Sequence, residues 1–340
     1  MTSLLDAHDA LLFDLDGTLF RGGTALPGAI ELVARAARNG HRIGYVTNNG
    51  SRRPRQVAAH LSELGFTAAE DEVVTSGLAA ALLLAERLPA GARVLVVGTA
   101  DLRQEVLDAG LTVTDRADDA TSVVQGHSPE TGWPLLAEAC LAIRAGALWV
   151  ACNVDATLPT ERGELPGNGS MVAALRTATG AEPLVAGKPE PWLFTEAVRR
   201  TGATRPLVIG DRLDTDIAGA NAAGLPVLAV LTGVSDARSL LEAAARDRPR
   251  YVGADLGALD EAVEVTEVAA RPPWRVRSDE AGLTLDTNGT DGSSGGSSDP
   301  VAALRALCAV HWAASGGEVV VRAGDGAAAD ALCALGLSAG

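Results

Sequence analysis

Short apolar runs alternate with amphipathic stretches along most of this chain, and that alternation leaves few folds open. Ala10-Leu11-Leu12-Phe13 predicts a buried strand followed by a helix from about Pro27 to Arg38, and Arg42 to Val46 a second strand followed by a helix from Pro54 to Leu64. Proline opens both helices, and Asn39-Gly40 and Gly65 close them. The rhythm resumes late in the chain with a helix over Pro189–Thr201, a strand over Pro206–Gly210, a loop over Asp211–Asp216, a helix over Ile217–Ala223 and a strand over Pro226–Val230. Strand and helix in strict turn imply parallel strands joined by right-handed crossovers, so the expected class is α/β with a doubly wound parallel sheet.

At 340 residues the chain exceeds the roughly 100–200 residues of one domain. Between the two rhythmic halves lies another α/β stretch, with strands expected at Val94–Val97, Ser122–Val124 and Leu148–Val150 and helices near Leu102–Ala109, Trp133–Arg144 and Ser170–Thr179. It reads as an insertion. The expected division is a core from 1–80 and 185–262, an inserted domain over 81–184, and a small α+β appendage over 263–340. Within that appendage Asp286 to Asp299 is rich in Gly and Ser and nearly free of apolar residues, which marks a linker or loop. Hairpin strands at Trp274–Arg277 and Leu283–Leu285 precede it, and Pro300–Ala314, Glu318–Arg322 and Ala327–Leu335 read as helix, strand, helix.

A net charge of −15 argues against a nucleic-acid partner, because neutralising a phosphate backbone takes clustered Lys and Arg. A single phosphorylated small molecule needs only a local positive patch or a metal. No run approaches the ~20 apolar residues of a membrane span, and Met1–Ala10 carries Asp6 and Asp9 instead of a basic, apolar leader, so a cytoplasmic chain with no membrane insertion is expected. Cys140, Cys152, Cys308 and Cys333 sit at no metal-finger spacing and read as small buried hydrophobes, and Trp133, Trp149 and Trp192 read as core.

Lys188 is the one lysine among 28 Lys+Arg. A compact ammonium on a thin stem fits where the planar fork of arginine does not, so its retention suggests a constrained site. In doubly wound sheets ligands bind where loops converge at the carboxyl ends of the strands. The loops there would carry Asp14 and Asp16 after the first strand, Thr47 and Asn48 after the second, Lys188 before a helix, and Asp211, Asp214 and Asp216 after a late strand. Several carboxylates beside one ammonium suit Mg2+, which takes one or two carboxylates, waters and a substrate phosphate.

The motif Asp14-Leu15-Asp16-Gly17-Thr18-Leu19 resembles the DxDGT signature of the haloacid dehalogenase-type phosphatases, with Thr47, Lys188 and Gly210-Asp211-Arg212-Leu213-Asp214-Thr215-Asp216 matching their later motifs in order. The long insertion resembles the C2 cap of the NagD and 4-nitrophenylphosphatase branch, whose cap loops Asn153-Val154-Asp155, Pro159-Thr160-Glu161 and Pro166-Gly167-Asn168-Gly169-Ser170 resemble. Together with its tail, the chain is most similar to the actinobacterial glycerol 3-phosphate phosphatases, a group with a small acetyltransferase-like C-terminal region. The resemblance implies a Mg2+-dependent phosphomonoester hydrolase acting on a small phosphorylated metabolite, glycerol 3-phosphate being the best single expectation; phosphoglycolate, a nucleotide, a sugar phosphate, or a binding rather than catalytic role are the alternatives. It implies Asp14 as nucleophile, Asp16 as acid and base, Thr47, Asn48, Asn49 and Lys188 around the phosphate, and Asp14, the backbone carbonyl of Asp16, and Asp211 on the metal. Asp216 would stand behind those ligands; the roles of Asp214, Asn153 and Asp155 stay open, as does the oligomeric state, for which caps of this branch suggest a homodimer. Arg322-Ala323-Gly324-Asp325-Gly326-Ala327 departs from an acyl-CoA pyrophosphate loop in spacing and reads as a helix cap.

Overall fold

The computed structural model describes residues 1–160, 162–287, 299–314 and 316–337. Residues 288–298, most of the expected Gly/Ser-rich linker, lie outside the described residues, as does Glu161 of the expected cap loop. The chain divides into two compact units, one of 1–43 with 203–340 and one of 44–202. Both are built from parallel sheets and helices, the α/β class expected, with an additional C-terminal part.

In the first unit Ala10–Phe13 lies parallel to Pro206–Gly210, which lies parallel to Val227–Val230 and that in turn to Tyr251–Gly253. Leu11, Leu12, Phe13, Leu207, Val208 and Ile209 are wholly buried, which is why both strands read as unbroken apolar runs. Asp9 fixes the entry to this sheet. Its carboxylate accepts from the Thr204 N–H at 2.9 Å, the Thr204 hydroxyl at 2.7 Å and the Arg205 N–H at 2.8 Å. Desolvation pushes the acid up, but those hydrogen bonds outweigh it and hold its pKa down at about 2.

The C-terminal region forms its own sheet, with Trp274–Asp279 antiparallel to Gly282–Thr287 and that strand parallel to Val321–Ala323. Its core is shared. Trp274, Leu283, Leu285, Leu304 and Leu307 pack in one cluster with Leu240, Leu241 and Val252. Arg305, 2% exposed on the helix Pro300–Ala314, donates from Nε to the Val252 carbonyl at 2.8 Å, and Trp312 Nε1 donates to the Leu241 carbonyl at 3.1 Å. Asp325 caps the last helix by accepting from the Ala328 N–H at 2.8 Å.

In the second unit Arg93–Val97 is flanked on one side by Thr112–Thr114 and on the other by Ser122–Gln125, then Leu148–Ala151 and Leu184–Val185, all parallel. Its core of Leu95, Val97, Val123 and Trp149 is closed by Ala139, Ala142 and Ile143 of the helix Trp133–Arg144 and by Val172 and Leu175 of Asn168–Thr179. Thr47 pairs with Thr75 in a further parallel pair of strands.

Several expectations are corrected. Trp133 is 79% exposed, because it opens its helix and the face turned inward is that of Ala139, Ala142 and Ile143; Trp192 is half-buried, with the Arg87 guanidinium 5.7 Å from its ring centroid. Cys152 and Cys308 are buried, but Cys140 is only partly so and Cys333 is exposed. The stretch after Asp155 is not all loop. Thr157–Thr160 pairs antiparallel with Gly163–Pro166, every described residue of the two strands exposed. The loop expected over Asp211–Asp216 is helical from Leu213. Among the described residues no helix is long and apolar enough to cross a membrane.

Candidate active site

Asp14 follows directly on the first strand, its N–H still paired to the Ile209 carbonyl at 2.9 Å, and Asp211 follows Gly210 on the neighbouring strand. The pairing of Phe13 with Ile209 thus brings two acids to adjacent strand ends. Asp216 comes back to them on a wide π-type turn, Leu213–Ile217. One carboxylate oxygen each from Asp14, Asp211 and Asp216 lie within 4.8 Å of one another. Asp211 and Asp216 are each 1% exposed.

Backbone and hydroxyl donors hold these acids in place. Asp211 Oδ2 accepts from the Val234 N–H at 2.7 Å and Oδ1 from the Thr18 hydroxyl at 3.3 Å, while Asp216 Oδ2 accepts from the Arg212 N–H at 3.1 Å. Gly17 has φ of 90°, and a Cβ there would lie 2.5 Å from Asp211 Oδ2, so only glycine lets the turn close over the acid. The Thr232 hydroxyl ties the facing loop down by donating to the Gly17 carbonyl at 2.6 Å.

Asp16 and Asp214 do not join the three-acid group. Asp16 is exposed at the base of the small hairpin of Phe20–Arg21 with Thr24–Ala25, where its Oδ1 accepts from the Gly22 N–H at 3.3 Å. Asp214 is paired with the Arg212 guanidinium at 2.9 Å, its side chain largely exposed, and it makes no cap hydrogen bond to the turn that follows. Asp216, expected behind the ligands, contributes an oxygen to the group itself. Three clustered carboxylates repel one another, and a small hard cation relieves that repulsion. The donor set fits Mg2+.

The second unit holds the other motif residues. Thr47 ends its strand, and its Oγ1 accepts from the Asn49 N–H at 3.1 Å, leaving the hydroxyl proton to be donated elsewhere. Asn49 is exposed, its Oδ1 accepting from the Ser51 N–H and hydroxyl at 2.9 and 2.8 Å. Asn48 binds the backbone of Lys188 on both sides, accepting from its N–H at 2.7 Å and donating to its carbonyl at 3.1 Å. Lys188 is 2% exposed, its Nζ 6.0 Å from the Phe194 ring centroid. The loop is anchored behind by Arg53, which pairs through Nε with Glu105 at 2.7 Å and through Nη2 with Asp108. Burial raises the Glu105 carboxyl above its ordinary range even against this arginine.

A model of haloacid dehalogenase-like hydrolases matches residues 11–112 and a second HAD-hydrolase-like model matches 185–259. The chain is 51% identical to the D-glycerol 3-phosphate phosphatase of Mycobacterium tuberculosis over 98% of its own length and 95% of that protein's. The chain belongs to the haloacid dehalogenase-like hydrolases. It is similar at 37% identity to a 5'-nucleotidase of Bacillus subtilis, over 68% of this chain and 90% of that one. Among solved structures it resembles the glycerol phosphate phosphatase of M. tuberculosis in complex with magnesium, with TM-score 0.93 and 50% identity over 99% of this chain and 100% of that one. It also resembles the 4-nitrophenylphosphatase of Thermotoga maritima, with TM-score 0.71 and 30% identity over 76% of this chain and 99% of that one. Residues 271–337 match a model of a GCN5-related N-acetyltransferase-like domain. The haloacid dehalogenase-like motifs therefore sit in a phosphatase, one whose group of Asp14, Asp211 and Asp216 fits Mg2+.

Sequence reasoning missed the loop Thr232–Ser235, whose N–H groups hold Asp211 at Oδ2 and at the main-chain carbonyl, and it missed Gly187 beside Lys188. The loop's one signal was a Thr-Gly pair shortly after a late strand. Hydrogen bonds given by the main chain leave no side-chain signature.

Proposed function

We propose that this phosphatase hydrolyses glycerol 3-phosphate, a small phosphorylated metabolite, in the cytoplasm. The observation that carries the reading is the group of Asp14, Asp211 and Asp216 in a chain whose nearly full-length relative bears that substrate in its name. Asp14 Oδ attacks phosphorus as the ester oxygen leaves with a proton from Asp16, giving an aspartyl-phosphate and free glycerol. Asp16 then takes a proton from water, whose oxygen attacks the same phosphorus and releases inorganic phosphate. The exposed setting of Asp16, outside the acid group, suits a residue that exchanges protons with leaving group and water.

Asp14 and Asp211, with the Asp16 carbonyl, would hold Mg2+, and the Asp216 carboxylate adds to the charge that draws it. When bound, the ion supplies positive charge that screens the phosphate from the anionic nucleophile. The Thr47 hydroxyl, the main chain at Asn48 and Asn49, and the Lys188 ammonium are proposed to receive the phosphoryl oxygens. Turnover of Asp14→Asn on 4-nitrophenyl phosphate is expected to fall at least about 10³-fold, since the step it removes is the covalent one; wild-type turnover would refute the mechanism. In a panel of glycerol 3-phosphate, phosphoglycolate, a 5'-nucleotide and a sugar phosphate, kcat/KM is expected to be highest for the first. A higher value for the 5'-nucleotide would move the assignment toward the B. subtilis relative. A homodimer belongs to the same reading and is checked by light scattering.

A further inference from the structure

Asn48 lies between two groups that make different demands on it. Its Oδ1 accepts from the Lys188 N–H at 2.7 Å, and its Nδ2 donates both to the Lys188 carbonyl at 3.1 Å and to the Asp155 carboxylate at 3.2 and 3.4 Å. A primary amide offers one acceptor oxygen and two donor hydrogens, and all are engaged. Turned over, the amide would set its oxygen against the Lys188 carbonyl and the Asp155 carboxylate, and its NH2 against an N–H. An ionised carboxylate only accepts, so Asp155 fixes which way the amide points. An aspartate at 48 would lack both donated bonds.

The surroundings hold this arrangement from behind. The Asn48 carbonyl accepts from the Ser76 hydroxyl at 2.6 Å and Asn153 Nδ2 at 2.7 Å. Asn153 Oδ1 accepts from the Asp155 N–H at 3.2 Å, and its carbonyl accepts from Asn168 Nδ2 at 2.7 Å. Asn153 and Asn168 are 6% and 2% exposed, so neither amide has solvent as an alternative partner. Gly187 completes the fit. A Cβ there would lie 2.6 Å from Asn48 Oδ1 and 2.5 Å from the Cys152 carbonyl, which would drive the Lys188 backbone off the amide.

We propose that Asp155 is a positioning residue: through the Asn48 amide it sets the backbone of Lys188, and so the place at which the ammonium is presented. The proposal rests on the reading of Lys188 as a phosphoryl-binding group. It gives Asp155 and Asn153, left open by the sequence, a role in the same step. Misplacing a charge that acts mainly in the transition state lowers kcat more than it raises KM.

Four variants and one control test this, all in the full chain with Mg2+. Asn48→Asp is expected to lose about 10²-fold in kcat with KM changed by less than about threefold, and Asp155→Asn about tenfold. The exchange Asn48→Asp with Asp155→Asn restores a donor facing an acceptor, and its kcat should exceed that of Asn48→Asp alone by about fivefold or more. Gly187→Ala should follow Asn48→Asp. If Asn48→Asp fails to fold, Asp155→Asn decides alone, its thermal midpoint showing that the fold is kept. Single variants within twofold of wild type, or an exchange no better than Asn48→Asp, overturn the relay. The control is Lys188→Ala. Full activity in that variant overturns the reading of Lys188 itself, a failure distinct from that of the relay.

Discussion

The acid group of Asp14, Asp211 and Asp216 and the amide group around Lys188 solve opposite problems. In the first, like charges are gathered at two strand ends and a helical turn, with the Arg212 and Val234 N–H groups orienting Asp216 and Asp211. In the second, polar groups satisfy one another through Asn48, Asn153 and Asn168, so the arrangement is complete without an added ion. One site gathers negative charge that suits a cation. The other stores order.

Removing metal should therefore separate the two most sharply. EDTA is expected to abolish phosphatase activity and excess Mg2+ to restore it. At about 100 times its Kd, Mg2+ should stabilise the wild type by about 2.7 kcal/mol in a thermal melt, and Asp211→Asn should lose that increment. An activity indifferent to EDTA would erase the contrast. Lys188→Arg tests the other side, because the charge is kept while its shape changes in a site that is 2% exposed. A loss of about 10²-fold in kcat is expected. Near-normal turnover would mean that charge alone suffices there.

The strand Ala10–Phe13 was readable because an apolar run meets a turn of acids and glycine, and the placing of Asp14 and Asp211 at neighbouring strand ends was readable for the same reason. The helix Ser76–Arg87 was not. Its sequence SGLAAALLLAER is apolar on nearly every side, and Ala79, Ala80, Ala81, Leu83 and Leu84 are all buried, so no 3.6-residue stripe distinguishes it. The hairpin after Asp155 was hidden for the opposite reason: its described residues are exposed and it contains Pro159, so it lacks the alternation that marks a half-buried strand. Asp155 itself drew notice as part of a loop motif, but what it does depends on Asn48, 107 positions away in sequence.

Two smaller effects refine the comparison. Arg53→Ala would leave Glu105, 5% exposed, without its partner beneath the Thr47–Arg53 loop. A destabilisation of about 3 kcal/mol is expected in chemical denaturation, and Glu105→Gln in the same background should recover part of it. No change on removing the arginine would show that the loop is anchored by its amides alone. Asp9 gives the smallest effect, in the other unit. Its carboxyl has a pKa of about 2 in the fold against an ordinary 3.8, so its contribution is full above pH 4 and is lost as pH falls toward 2. Asp9→Asn should flatten the stability–pH slope in that window relative to wild type.

The cluster that joins Leu240, Leu241 and Val252 to Leu283, Leu285, Leu304 and Leu307 bears on how the last quarter of the chain should be studied. Cutting it away would bare a greasy flank beside the strand Tyr251–Gly253, and loss of turnover in such a shortened protein would report clumping before it reported regulation. Point changes on the outward side of the helix Pro300–Ala314 are the cleaner probe.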